Sequence, residues 1–336
     1  MPVPPALLDA SRVVERGLRQ HLEGRGELLY RMLEYHLGWR DAQGEAISSH
    51  SLYPYGALCV LAGAAQGLAH PLAEGCGAAV ELLAHFHQVH REVQDGAPGS
   101  QERPTLWWLW GPAQAINAGD GFHAVARLAL MGLGGRGVEV SRVLDALRLL
   151  DQTALQMCEG RWHDLHLQER LEVTPSQCQR IAQQQTGALI ACALTLPAVV
   201  LGLSSSVQDL CWQAGQRLGI GISFWHDLRR WRSQASSSVL LNKTKTLPLA
   251  LALQKGGPRE KRELGAVFVK RVLEPADLPV LVALLERLEV FQQAEALAQQ
   301  ALEEGMALWR QAVGEAGADT LRPAVFFLAH EAPLAP

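Results

Sequence analysis

The chain has 336 residues, of which 48% are hydrophobic and 19% are charged, and its formal net charge is −4. This composition supplies enough apolar side chains for a large buried core and excludes an intrinsically disordered chain. The small negative charge gives no reason to expect nucleic acid or an anionic membrane as a partner.

Helical periodicity runs through the whole sequence, whereas strand-like alternation of apolar and polar residues is nearly absent. Leu7, Val14 and Leu18 share one helical face early in the chain, and Leu284 and Leu288 do so late. Breaks in the pattern separate roughly ten helices of about 12–25 residues. No linker is long enough to divide two domains, so we predict a single all-α domain over residues 1–336.

Cysteine usage and the apolar runs indicate where the protein works. The six cysteines lack CxxC spacing and no signal-peptide pattern precedes them, so we expect free thiols in a soluble, cytoplasmic protein. The longest apolar run, residues 186–203, is interrupted by Pro197 and two glycines. It falls short of the ~18–20 uninterrupted apolar residues that cross a bilayer, so we predict no membrane span.

The most informative segments follow one another from residue 81 onward. Residues 103–107 read RPTLW and residues 114–120 read QAINAGD; further along come GRWHDL at 160–165, QTGALI at 185–190 and KTLP at 245–248. In this order and spacing they resemble the trans-isoprenyl diphosphate synthases, or polyprenyl synthetases. The resemblance covers most of the chain.

This resemblance implies an all-α isoprenoid-synthase bundle around a central cavity, usually assembled as a homodimer. In that family two Asp-rich helices face each other across the cavity, and their carboxylates hold Mg²⁺ on the diphosphate of an allylic substrate. Neutralising the charge that accumulates on the diphosphate makes it a better leaving group. The implied ligand is therefore a prenyl diphosphate or another isoprenoid.

Several motif charges differ from the family pattern. Where the family has Asp-Asp-x-x-Asp, residues 91–95 read REVQD, and the second motif has His226 and Arg230 in place of two aspartates around Asp227. The family's Gly-Lys-x-x-Arg site for isopentenyl diphosphate reads GELLY at residues 26–30. A glutamate in place of lysine reverses the charge offered to that diphosphate. We therefore expect ordinary chain elongation to be lost.

The acids that remain suggest a weakened metal site. Glu92 and Asp95 are three residues apart on one helical face. Together with Asp227 from the facing helix, they are predicted to be catalytic and to ligate one Mg²⁺. The basic residues of the two motifs are predicted to bind phosphate in place of a metal or to pair with these acids: Arg91, His226, Arg229 and Arg230. The alternative is that all these charges are solvated or mutually paired and have no catalytic role.

Further residues are predicted to line the substrate site. Lys243 and Lys245 lie in a predicted loop near the cavity mouth, where they meet either the diphosphate or solvent. By resemblance, Phe86 and His87 form the cavity floor, which suits a short or medium prenyl chain. Trp225 is predicted to lie on the cavity wall.

Two functions follow from these features. The first is an enzyme that takes a preformed prenyl diphosphate and cyclises it or transfers its prenyl group, because such a reaction needs no isopentenyl diphosphate site. The second is a catalytically silent subunit that binds isoprenoid or forms a heteromer with an active synthase. The retained pair Glu92 and Asp95 favours the enzyme.

Overall fold

The computed structural model describes residues 2–47, 51–170, 172–233, 238–270 and 273–332. Within these ranges the chain is helical, and no strand longer than an isolated bridge occurs. The predicted all-α fold is confirmed. The helices are α1 (Pro5–Leu22), α2 (Leu28–His36), α3 (Pro54–Gln66), α4 (His70–Asp95), α5 (Leu106–Trp110), α6 (Pro112–Met131), α7 (Val140–Gln168), α8 (Pro175–Ala182), α9 (Ala188–Leu201), α10 (Ser205–Ser233), α11 (Ser238–Leu241), α12 (Leu247–Lys255), α13 (Pro258–Phe268), α14 (Asp277–Arg287) and α15 (Val290–His330, interrupted at Gly314).

The most apolar helix, α9, occupies the centre of the bundle. Every residue from 188 to 200 is buried, because α3, α4, α7 and α10 surround the helix. A helix that is apolar on all faces is stable in water only when other helices cover it on every side. A π-helical turn, Gln183–Gly187, joins α8 directly to α9.

The continuous run Pro175–Leu201 is the one helical segment of the described residues that is long and apolar enough to cross a membrane. Sequence inspection missed this length because the π-helical turn keeps α8 and α9 in one run. Of its most apolar window, 78% is buried inside the bundle. Packing in the core accounts for its composition, so no membrane span is indicated.

Two glycines let α10 approach the π-helical turn and α9 closely. A Cβ added at Gly215 would lie 2.3 Å from Cα of Ala191, and one added at Gly219 would lie 2.4 Å from Cα of Gly187. Both contacts are with backbone atoms, which cannot move aside as a flexible side chain can. The two glycines therefore allow α10 to pack directly against α9 and the π-helical turn.

Candidate functional site

The carboxylate of Asp95, at the end of α4, is paired with two arginines. Asp95 accepts a hydrogen bond from Nη2 of Arg161 on α7, and Nε of Arg91 lies 3.3 Å from its Oδ2. Arg161 also donates to Asp164 at 2.6 Å and to Oε1 of Gln94 at 2.8 Å. The side chains of Arg161, Asp95 and Asp164 are 5%, 3% and 9% exposed. These residues form a buried ionic network between α4 and α7.

Glu92, one helical turn before Asp95 on α4, has different partners. Its Oε1 accepts a hydrogen bond from Nε2 of Gln88 at 2.9 Å, and its charge acts on Tyr35. Burial raises the pKa of Glu92 to about 7, although Gln88 and the charge of Arg91 oppose the shift. Near neutral pH this carboxyl is therefore partly protonated, which weakens it as a metal ligand.

Asp227 on α10 accepts a hydrogen bond from the first residue of α12. Its Oδ2 accepts the backbone N–H of Leu247 at 3.1 Å, and its Oδ1 lies 3.9 Å from Nη1 of Arg230. Burial raises the pKa of Asp227 to about 6, against the effects of Arg230 and the Leu247 bond.

These contacts do not fit the magnesium site predicted from Glu92, Asp95 and Asp227. Magnesium needs several carboxylate or carbonyl oxygens that converge on one point and are free to bind it. Here each acid has its own partner, and arginines occupy the space beside two of them. In the part of the chain that the structure describes, no group of three or more His, Cys, Asp or Glu side chains is arranged to hold a metal ion.

The positive charges of Arg91 on α4 and Arg230 on α10 act on each other. Nε of Arg230 is buried and has no hydrogen-bond partner among the described residues. Burial, and next the positive charge of Arg91, lower the pKa of Arg230 to about 10. Both guanidinium groups also act on the hydroxyl of Tyr55 on α3. The three side chains therefore share one region at the centre of the bundle.

This region, called the recess, is partly open to solvent. The side chains of Arg91, Asp227 and Arg230 keep 22%, 17% and 10% of their surface exposed although α4, α7 and α10 converge around them. His87 lies one helical turn deeper on α4, against Gln185 of the π-helical turn. Burial lowers the pKa of His87 to about 3, so its imidazole is neutral.

Three other predicted substrate residues contact the end of α15 instead. Nη1 of Arg229 donates to the carbonyl of Ala332 at 2.8 Å, and Nε2 of His226 lies 2.8 Å from the carbonyl of Leu328. Burial lowers the pKa of His226 to about 3, so the neutral ring donates this bond. The ring of Trp225 packs 4.2 Å, between centroids, from that of His330.

The predicted loop lysines bind main-chain carbonyls. Nζ of Lys243 donates to the carbonyl of Phe268 at 3.1 Å, and Nζ of Lys245 donates to those of Gln168 at 3.3 Å and Lys243 at 3.1 Å. Lys245 also lies over the Phe268 ring, and burial lowers its pKa to about 8. Both lysines hold the segment before α12 against neighbouring helices.

Phe86, predicted on the cavity floor, packs sideways toward α6. Its ring lies 4.8 Å from that of His90 and 5.3 Å from that of His123, measured between centroids. His85, the residue before it, faces Glu81 at 3.6 Å. The α4 histidines at positions 85, 87 and 90 therefore point in three directions.

Sequence reasoning gave no role to Arg161, Asp164 or Tyr55. A signal for the first was present, because Arg161 stands where the family has glutamine and lies three residues before Asp164. A new positive charge in a segment that faces the acidic motif indicates an ion pair. Tyr55 has no comparable signal, since its position near the arginines depends on how α3 packs.

Comparisons with known proteins place this geometry in context. The chain is 35% identical over 212 residues to a geranylgeranyl diphosphate synthase of Mycobacterium tuberculosis, an alignment that covers 63% of this chain and 59% of that protein's length. It is 28% identical over 267 residues to a (2E,6E)-farnesyl diphosphate synthase of Mycobacterium bovis, covering 77% of this chain and 72% of that protein. A polyprenyl synthetase structure from Streptomyces coelicolor A3(2) superimposes with a TM-score of 0.84 and 26% identity, covering 98% of this chain and all of that one.

These relatives contradict the function predicted from the sequence. Both curated relatives are named as prenyl diphosphate synthases, which points to ordinary chain elongation. The prediction of a non-standard cyclase or a silent subunit is therefore wrong. Glu27 opposes a diphosphate less than its sequence position suggests, because it is exposed at the start of α2, where solvent screens its charge. Arg25, whose guanidinium lies 4.9 Å from the centre of the Tyr30 ring, places a cation in the same segment.

The extent of the family match agrees with the fold and with the order of the sequence motifs. Residues 55–284 match the family model described as Polyprenyl synthetase. This region runs from α3 to α14 and includes every helix that contributes to the recess. The chain belongs to the polyprenyl synthetase family.

Proposed function

We propose that the protein is a prenyltransferase that elongates a prenyl diphosphate with isopentenyl diphosphate. The observation that carries the proposal is the identity of 28–35% to relatives named as geranylgeranyl and farnesyl diphosphate synthases. In such a reaction the C–O bond of the prenyl diphosphate breaks and its electron pair leaves on the diphosphate. The double bond of isopentenyl diphosphate supplies the pair for the new C–C bond, and a proton passes from the joined product to the released diphosphate.

The recess supports this proposal, because it contains cations together with less polar side chains. Arg91 and Arg230 are assigned to the diphosphate, since guanidinium groups match phosphate oxygens in geometry and charge. Tyr55 and neutral His87 are assigned to the prenyl chain. Asp95 and Asp227 act as positioning residues, because each lies beside one of the two arginines.

We do not propose that Glu92, Asp95 and Asp227 bind magnesium. Two of those carboxylates already face guanidinium groups, and the third has a pKa raised to about 7. His226, Arg229, Lys243 and Lys245 are left out for a different reason, since backbone carbonyls hold their polar groups.

A second copy of the chain is proposed as the protein partner. Val140, Leu144, Leu155 and Trp162 share one face of α7, and each exposes more than half of its surface. Leu128 on the neighbouring α6 extends this α7 face. Soluble monomers rarely expose a continuous apolar surface of this kind, and a symmetric dimer would bury it.

A cytoplasmic location stays a prediction. All six cysteines are free, and Cys158 alone among them is exposed. Free thiols of this kind are typical of proteins in a reducing compartment.

The experiment is a product analysis with the purified protein. Geranyl or farnesyl diphosphate is incubated with isopentenyl diphosphate, once with Mg²⁺ and once with a chelator, and the dephosphorylated products are identified by mass spectrometry. We expect longer prenyl alcohols and one released diphosphate for each five-carbon unit added, only when both substrates are present. Products from the prenyl diphosphate alone, or none from folded protein, would contradict the proposal.

A further inference from the structure

A cleft of about 440 Å³ lies between α7, the C-terminal end of α9 and the start of α10. Its volume falls within the range of about 300–1,000 Å³ that is typical of small-molecule sites. Charged, amide, apolar and aromatic side chains all line it. We propose that this cleft binds a small zwitterion of the amino-acid type, with an ammonium group, a carboxylate and an apolar side chain.

The cleft is separate from the recess. Trp212 lines the cleft and Asp227 lies at the recess, about 22 Å apart along the continuous helix α10 at a rise of about 1.5 Å per residue. On α7, Arg148 and Arg161 are likewise about 20 Å apart. A ligand in the cleft therefore does not compete with a prenyl diphosphate for the same side chains.

The charges of the cleft are balanced. Two arginines and two aspartates line it, which are Arg142, Arg148, Asp145 and Asp209. A ligand with one sign of charge would be attracted by one pair and repelled by the other. A small molecule that carries both signs at its two ends can place each charge beside its opposite.

The ammonium group is assigned to α10. Asp209 and Trp212 are three residues apart, so they share one face of this helix. Asp209 is exposed and forms neither an ion pair nor a side-chain hydrogen bond within the part of the chain that the structure describes. Its carboxylate attracts a cation, and the face of an indole ring does so as well. The two side chains together suit an ammonium group.

The carboxylate is assigned to Arg148 on α7. Nη1 of Arg148 donates to Oδ1 of Asp145 at 3.0 Å, but their side chains are 68% and 55% exposed, and an exposed pair of this kind is weak. A guanidinium has five donors and can hold a carboxylate with two of them. Arg142 contributes charge alone, because its Nη1 donates to the carbonyl of Leu201 at 3.0 Å.

The apolar part of the ligand is assigned to the wall between these charges. Leu149 of α7 and Val199 of α9 line the cleft and offer it apolar surface. Thr195, one turn before Val199, also lines it, and its hydroxyl is buried with no hydrogen-bond partner among the described residues. A buried hydroxyl without a partner is unusual, and a polar group bound beside it would supply one.

The test is a calorimetric titration of the purified full-length chain. The probes are L-phenylalanine and L-leucine, with phenethylamine and 3-phenylpropanoate as analogues that each lack one of the two charges. We expect at least one of the amino acids to bind. Each analogue should bind at least about fivefold more weakly than phenylalanine, which is about 1 kcal/mol.

Variants locate the binding. Asp209→Asn and Arg148→Gln are each expected to weaken amino-acid binding at least about fivefold. Both residues are exposed, so both variants should fold. Asp9→Asn and Arg12→Gln are the matched controls, because Asp9 and Arg12 form an exposed pair three residues apart on α1. Their binding should not change.

Three results would overturn the inference. The first is the absence of binding by either amino acid at about 10 mM. The second is equal binding by phenethylamine or 3-phenylpropanoate, which would show that two opposite charges are not needed. The third is unchanged binding in folded Asp209→Asn and Arg148→Gln, which would place the amino acid elsewhere. None of these results depends on whether the recess elongates prenyl diphosphates.

Discussion

Removing Arg161 tests whether the ionic network between α4 and α7 is structural. The proposed change is Arg161→Met, which keeps a similar length of side chain but removes three hydrogen bonds, to Gln94, Asp95 and Asp164. Asp95 keeps Arg91 at 3.3 Å, whereas Asp164 stays buried and loses its ion pair with Arg161. Breaking a buried pair by removing one partner costs about 3–5 kcal/mol. We expect the free energy of unfolding to fall by about 3 kcal/mol at neutral pH, because Asp95 keeps Arg91 as a partner.

The pH dependence of this loss has a definite sign. Burial already raises the pKa of Asp164 above its ordinary value of 3.8, against the effect of Arg161. Without Arg161 the pKa rises further, so the folded variant holds a proton that the unfolded chain has released. The variant therefore loses stability as pH rises above 3.8, and its deficit relative to the natural chain is larger at pH 8 than at pH 5.

The assay is urea unfolding followed by circular dichroism at both pH values. Arg148→Met is the control, since Arg148 pairs with Asp145 on the surface and such a pair contributes at most about 1 kcal/mol. A loss below about 1 kcal/mol for Arg161→Met, or one that does not depend on pH, would refute the reasoning.

Three further changes test the core, the helix contacts and the assembly. Burial raises the pKa of Glu81 from 4.5 to about 8, so the free energy of unfolding of the natural chain falls as pH rises between these values. The Glu81→Gln variant lacks this loss, so its free energy of unfolding, measured with urea, should rise relative to that of the natural chain by up to about 1.4 kcal/mol per pH unit. A difference between the two chains that does not change with pH would contradict this. Gly219→Ala should cost about 1–3 kcal/mol of unfolding free energy because its Cβ meets backbone, whereas Gly265→Ala, with open space around it, should not destabilise. If the proposed dimer forms through α7, Leu155→Asp should give a monomer in light scattering, whereas Val280→Asp, similarly exposed on α14, should leave the oligomeric state unchanged. A dimer of the Leu155→Asp variant would argue against the α7 face.

Much of the fold was accessible from the sequence because local signals and packing agree. Threonine followed by proline, as at positions 174 and 175, is typical of a helix start, and α8 begins there with Thr174 and Gln177 bonded reciprocally. The apolar run of α9 is likewise typical of a buried helix. The contact of Gly219 with the π-helical turn was not accessible, since it depends on how two helices cross.

The site was only partly predictable, and helix geometry explains which part. Adjacent residues on a helix lie about 100° apart, so Arg229 and Arg230 cannot face the same neighbour. Residues three apart do share a face. Asp227 and Arg230 accordingly face the recess, while His226 and Arg229 face the end of α15. Grouping all four as one cluster ignored this spacing.

The pairing of Arg161 with Asp95 joins residues 66 positions apart, which no local pattern reveals. When this pair is included, the positive charges of three arginines are matched by the negative charges of three aspartates. The arginines are Arg91, Arg161 and Arg230, and the aspartates are Asp95, Asp164 and Asp227. Reversing one motif charge alone would have left a buried charge without a partner, at a large cost in free energy. The motif positions are therefore best understood as one coordinated set, in which each buried charge has an oppositely charged neighbour on the chain.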